Sequence, residues 1–116
     1  MPQLYESIFI LRPSLPDEDT QKLIEKMKGV LEKSGGALLR ADNWGKKKLA
    51  YEVRRERKGV FVYFYFRSEG NVIEELERSY RLEDSVIKFL TVRLDHEPPP
   101  PRPVGEVKEF DRGRIQ

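Results

Sequence analysis

Apolar positions recur in this chain with two different spacings, and the switches between them predict its elements. Residues 3–13 (QLYESIFILRP) alternate with period two. Tyr5, Phe9 and Leu11 share one face with Ser7, and Leu4, Ile8 and Ile10 share the other with Glu6. Both faces are mostly apolar, as in a central strand, and Pro13 ends it. Residues 14–36 (SLPDEDTQKLIEKMKGVLEKSGG) shift to helical spacing, with Leu23, Ile24, Met27, Val30 and Leu31 as the buried stripe. Ser14 or Asp17 is the expected cap, Pro16 suits the first turn, three acids complement its dipole, and Gly35–Gly36 stop the helix.

The second half repeats the scheme. Residues 37–53 (ALLRADNWGKKKLAYEV) read as a long strand with a bulge expected near Asn43–Gly45. A charged turn at 54–59 (RRERKG) leads into a strand at 60–67, and 68–71 (SEGN) is the next turn. Residues 71–85 form a second helix with Val72, Ile73, Leu76 and Tyr80 inward. Residues 85–94 (SVIKFLTVRL) are a final strand whose inward face the alternation leaves undecided. Strand, helix, strand, strand, helix, strand is the ferredoxin-like, split βαβ order, an α+β fold with a four-stranded antiparallel sheet. Two helices cover one face of such a sheet, so the opposite face is expected to lie open. The domain is assigned to residues 1–96. Residues 97–116 (EPPPPRPVGEVKEFDRGRIQ) are a proline-rich, extended tail without an apolar stripe.

The segment KGVFVYFYF (58–66) makes that open face a functional question. Val60, Val62, Phe64 and Phe66 fall on one side, and Phe61, Tyr63 and Tyr65 on the other, ahead of Arg67. An RNA-recognition motif has the same element order and carries base-stacking aromatics on its third strand. Here the register differs: Val60 and Val62 take the main stacking positions and Phe61 sits where glycine or alanine belongs. Such a surface suits protein contact at least as well as base stacking.

Composition narrows the classes. The chain has 116 residues, 38% hydrophobic and 36% charged, and fits one domain with a modest core. The net charge of +2 conceals clustering: residues 40–58 hold eight basic and three acidic side chains. Lys46, Lys47, Lys48, Arg54, Arg55, Arg57 and Lys58 are therefore candidate phosphate contacts, and Arg93 joins them as a candidate RNA contact. A solvated strand edge protected by lysines is the plain alternative for the lysine run. There is no cysteine and one histidine, His96, so neither thiol chemistry nor a zinc site is expected, and no glycine-rich phosphate loop occurs. Catalysis is not expected, and no cofactor is implied. The N-terminus lacks a signal-peptide pattern, which points to a cytoplasmic protein.

Three stretches together carry a family resemblance: YESIFILRPSL (5–15), WGKKKLAYEVRRERKGVFVYFYF (44–66) and LERSYRLEDSVIKFLTVR (76–93). The glycine, three-basic, Leu-Ala-Tyr block and the Arg-Leu-x-x-x-Val-Ile-Lys-Phe-Leu strand entry are distinctive in combination. The chain resembles the bacterial small-subunit ribosomal protein number six family. That resemblance implies a component of the small ribosomal subunit that binds central-domain ribosomal RNA alongside small-subunit ribosomal protein number eighteen. It makes Ile8, Ile10, Trp44, Leu49, Tyr51, Phe61, Tyr63 and Tyr65 candidate contacts to that protein. Pro2 and Gln3 replace basic residues often found at the start of the family, which weakens an RNA contact there. A free single-stranded RNA-binding module is the competing reading, and a small-molecule-binding or acylphosphatase-like domain would need an anion loop that the sequence lacks.

Overall fold

The structure, a computed structural model, describes residues 2–96; Met1 and the proline-rich tail at 97–116 lie outside the described residues. The elements are β1 (Gln3–Leu11), α1 (Asp17–Lys33), β2 (Ala37–Val53), β3 (Glu56–Ser68), α2 (Gly70–Leu82) and β4 (Val86–Leu94). They form one sheet of order β2-β3-β1-β4, in which every neighbouring pair is antiparallel. This is the expected ferredoxin-like arrangement, with β3 inserted between the parallel strands β1 and β2.

Both helices pack on one face. Leu23, Ile24, Met27 and Leu31 from α1 and Val72, Leu76 and Tyr80 from α2 meet Phe9, Leu11, Val60, Val62, Phe64 and Phe66 of the sheet. Burying each large side chain contributes roughly 1.5–3 kcal/mol. A polar chain crosses this core. The Tyr80 hydroxyl and Ser7 Oγ share a hydrogen bond of 2.8 Å, and Thr91 Oγ1 donates to Ser7 Oγ at 3.0 Å, tying α2, β1 and β4 together.

Local chemistry moves several boundaries. α1 starts at Asp17 rather than Ser14, because Pro16 sits at φ −59° and ψ 150°, outside the helix, and no side chain caps the end. Asp17, Glu18 and Asp19 still face the positive end of the helix dipole. Gly35 stops α1 at φ 103°, a left-handed conformation that glycine adopts without strain. The β2–β3 turn is shorter than expected. Val53 pairs with Glu56, so only Arg54 and Arg55 form the loop, and Arg57, Lys58 and Gly59 belong to β3.

The undecided face of β4 is explained by an irregularity in its pairing with β1 between Ile10 and Leu11. Val86 lies opposite Leu11, whereas Lys88 lies opposite Ile10, so Ile87 is an extra residue and the phase changes there. Val86 and Phe89 therefore pack towards the helices, while Lys88, Leu90 and Val92 share the outer face with Ile10, Ile8 and Glu6.

Candidate interaction surfaces on the outer face and the basic end

The outer face is only partly open, which corrects the simplest expectation from element order. β2 and β3 run well past the rest of the sheet, with 17 and 13 residues, and form a two-stranded ribbon. Ribbons of two strands twist more strongly than wide sheets. Register shifts between Asn43 and Gly45 and between Lys48 and Val53 add curvature. The ribbon curls over the outer face, and Trp44, Leu49 and Val53 pack against Ile10, Phe61 and Ile87. Gly59 permits the close approach of β3 to β1, since a Cβ there would lie 2.3 Å from Ile10 Cγ2.

The pairing does bring the candidate aromatic and aliphatic residues together: Ile8 lies opposite Tyr63, Ile10 opposite Phe61 and Glu6 opposite Tyr65. However, Phe61 is 0% and Tyr63 5% exposed. These two rings support the surface from beneath and offer almost none of it. Trp44 stacks on Tyr63 at 5.1 Å and 12°, and the Arg40 guanidinium sits 5.5 Å from the Tyr63 ring. The Tyr63 hydroxyl donates to Glu6 Oε2 at 2.9 Å. Burial pushes the Tyr63 hydroxyl up to about 12; nearby Asp42 acts in the same direction and Arg40 opposes it. The phenol thus stays protonated and able to donate.

What remains open is a groove of about 280 Å³ between the curled ribbon and β4. Ile8, Ile10, Leu49, Tyr51, Leu90 and Val92 line it, buried Glu6 adds a carboxylate, and Lys88, held against Tyr51, adds an ammonium group. Tyr51, Leu90 and Val92 are 55%, 51% and 36% exposed, a concentration of accessible apolar surface on one wall system. Leu90 and Val92 were missed by sequence reasoning because the alternation of β4 could not be phased. Among the described residues, no group of three or more His, Asp or Glu is placed to hold a metal ion. None of the described helices is long and apolar enough to cross a membrane.

The basic residues gather at one end. Lys46 lies opposite Val60, Val60 opposite Leu11, and Leu11 opposite Val86, so a single row crosses the sheet from the lysine run to the start of β4. Lys48 pairs directly with Lys58, a like-charge pair that is unfavourable without an anion nearby. Lys46, Lys48, Arg54, Arg55, Arg57 and Lys58 are exposed and Lys47 is half-buried. Arg57 reaches Glu52 at 3.8 Å in an exposed and therefore weak pair. Arg93 is separated from this group. It lies opposite Tyr5 near the far end of β4, about 20 Å along the strand from Val86.

Three comparisons with known proteins bear on what this arrangement is for. The family described as Ribosomal protein S6 matches residues 4–93. The chain belongs to the ribosomal protein S6 family. It is 42% identical over 93 residues to the small ribosomal subunit protein bS6 of Desulforapulum autotrophicum, covering 80% of this chain and 60% of that protein. It is also 42% identical over 93 residues to bS6 of Moorella thermoacetica, covering 80% of this chain and 95% of the relative. The chain thus spans well under two thirds of some relatives and nearly all of others. The crystal structure of 30S ribosomal protein S6 from Thermotoga maritima superposes with a TM-score of 0.78 at 27% identity, covering 100% of both chains.

Proposed function

We propose that this protein is a structural, non-catalytic component of the small subunit of the cytoplasmic bacterial ribosome, where it binds central-domain ribosomal RNA together with small-subunit ribosomal protein number eighteen. Family membership supports the ribosomal assignment. The single observation that carries the division of labour is the separation of two surfaces. An apolar groove occupies the outer face beside Tyr51, Leu90 and Val92, and a basic end carries Lys46, Lys48, Arg54, Arg55, Arg57 and Lys58. A largely apolar groove with one buried carboxylate and a single lysine at its wall suits a protein segment, whereas clustered cations suit phosphates. The burial of Phe61 beneath Trp44, Leu49 and Val53, and of Tyr63 against Trp44, speaks against a free base-stacking module, because these two third-strand rings offer almost no surface to a base.

The reading is tested by titrating a central-domain ribosomal RNA fragment with the protein, with and without the eighteenth protein, over a series of salt concentrations. Tight binding only with the partner is expected, and replacing Lys46, Lys47 and Lys48 by alanine reduces the salt slope by roughly 2. Strong partner-independent binding to unstructured RNA would instead support the stacking module.

A further inference from the structure

A further group of cations, only one of which (Arg54) belongs to the run of residues 40–58, lines a hollow of about 480 Å³ at the edge of the sheet where β4 begins. Arg54 enters it from the β2–β3 turn, Arg81 from the last turn of α2, and Lys88 from β4, with Val86, Ile87 and Phe89 completing the wall. Each cation is held in position. Arg54 Nη1 points at the Val86 carbonyl at 3.5 Å, a marginal hydrogen bond. The Arg81 guanidinium lies 5.7 Å from the Phe89 ring, and Lys88 Nζ lies 4.4 Å from the Tyr51 ring while donating to the Tyr51 hydroxyl. Set against rings, Arg81 and Lys88 keep N–H donors available.

Charge is left over. Arg81 makes one long, exposed contact with Glu77, at 3.8 Å, and among the described residues no carboxylate lies within ion-pairing distance of Arg54 or Lys88. Among the described residues β4 pairs only with β1, so the backbone N–H groups on its other side have no strand partner there. Cations from three elements, two of them set against aromatic rings, beside a strand edge that has no partner among the described residues, match an oxyanion with several acceptor atoms.

We propose that Arg54, Arg81 and Lys88 form a phosphate-binding site at the β4 edge, and that its ligand is a backbone phosphate of RNA rather than free phosphate. The proposal rests on the RNA-binding reading above and extends its contact surface from the lysine run, along the same end of the sheet, to the opposite edge. A single strand or helix edge laid across that end would meet both clusters.

The test uses the full chain with the eighteenth protein and the central-domain RNA fragment, and compares Arg54→Gln/Lys88→Met with a variant carrying alanine at Lys46, Lys47 and Lys48. The three cations are not core residues, so unchanged melting temperature serves as the folding control. The expected result is about a tenfold loss of affinity for Arg54→Gln/Lys88→Met near 0.1 M salt, with the slope of log K against log salt reduced by about 1 to 2. Wild-type affinity and slope in that variant, while the lysine variant loses both, would overturn the site and leave the RNA reading standing. Failure of every protein to bind RNA would overturn the RNA reading and the RNA source with it. Inorganic phosphate, titrated against the wild-type chain by amide chemical shifts, supplies the remaining arm. Saturable shifts at Ile87–Phe89 only above millimolar concentrations support RNA as the ligand. Tight saturation at micromolar phosphate would overturn that assignment in favour of the free anion.

Discussion

At the scale of single residues, Tyr63 holds the outer face together. Its ring is clamped between Trp44 and Arg40, and its hydroxyl donates to the buried Glu6 carboxylate. Removing the hydroxyl takes one donor from a buried side-chain acceptor, which costs roughly 1–3 kcal/mol. Tyr63→Phe is therefore expected to lower the melting temperature at neutral pH without changing the fold. Its pH dependence has a defined sign. The folded phenol titrates at about 12, above the usual value of 10.0, so its contribution is complete below pH 10 and is lost as pH rises towards 12. Tyr80, buried beside Ser7, is shifted in the same direction by desolvation. Thermal melts between pH 7 and 11.5 should show wild type and Tyr63→Phe converging above pH 10. Parallel curves across that range would refute the role assigned to Tyr63.

At the scale of elements, the β2–β3 hairpin decides which surfaces exist. Its two-residue loop puts Arg54 at φ 48° and Arg55 at φ 67°, the left-handed region that hairpins of this length require and that Asn-Gly fills most easily. Each arginine in that conformation costs on the order of 1 kcal/mol. Replacing Arg54-Arg55 by Asn-Gly should raise the urea midpoint, by roughly 1–2 kcal/mol in stability, with an unchanged m-value, while weakening RNA binding. A lower midpoint would show that the arginines stabilise the hairpin instead. The hairpin also marks the limit of what the sequence discloses. Element order, the inward stripes Leu23/Ile24/Met27 and Val72/Leu76/Tyr80, and the bulge near Asn43–Gly45 were legible, because each follows from local spacing. The curl of the ribbon was not, because it accumulates from twist and the register shifts along β2, three in its pairing with β3; hence the covering of Phe61 and Tyr63 appears only in three dimensions. The same holds for Arg81 and Lys88, which lie far from the basic run in sequence and approach Arg54 only through the sheet order. Leu90 and Val92 became legible once the irregularity opposite Ile10 and Leu11 set the phase of β4.

At the scale of the whole molecule, the sheet separates two kinds of surface. Helices bury one face, the ribbon closes part of the other, and the remaining groove is apolar while one end of the sheet is basic. On the proposed reading, a protein with this division would engage RNA through one surface and a protein neighbour through the other, stabilising one RNA arrangement by binding it. Its affinity would then depend on both surfaces being engaged, because exposed cations alone give salt-sensitive and weakly selective binding. The measurement that tests this most directly is amide hydrogen exchange of the full chain, free and bound to the eighteenth protein alone, followed by addition of the RNA fragment. The protein partner is expected to slow exchange around Tyr51 and Leu90–Val92, and RNA then to add protection at Lys46–Lys48 and Arg54–Lys58. Protection of the basic end by the protein partner, or of the groove by RNA alone, would contradict this division.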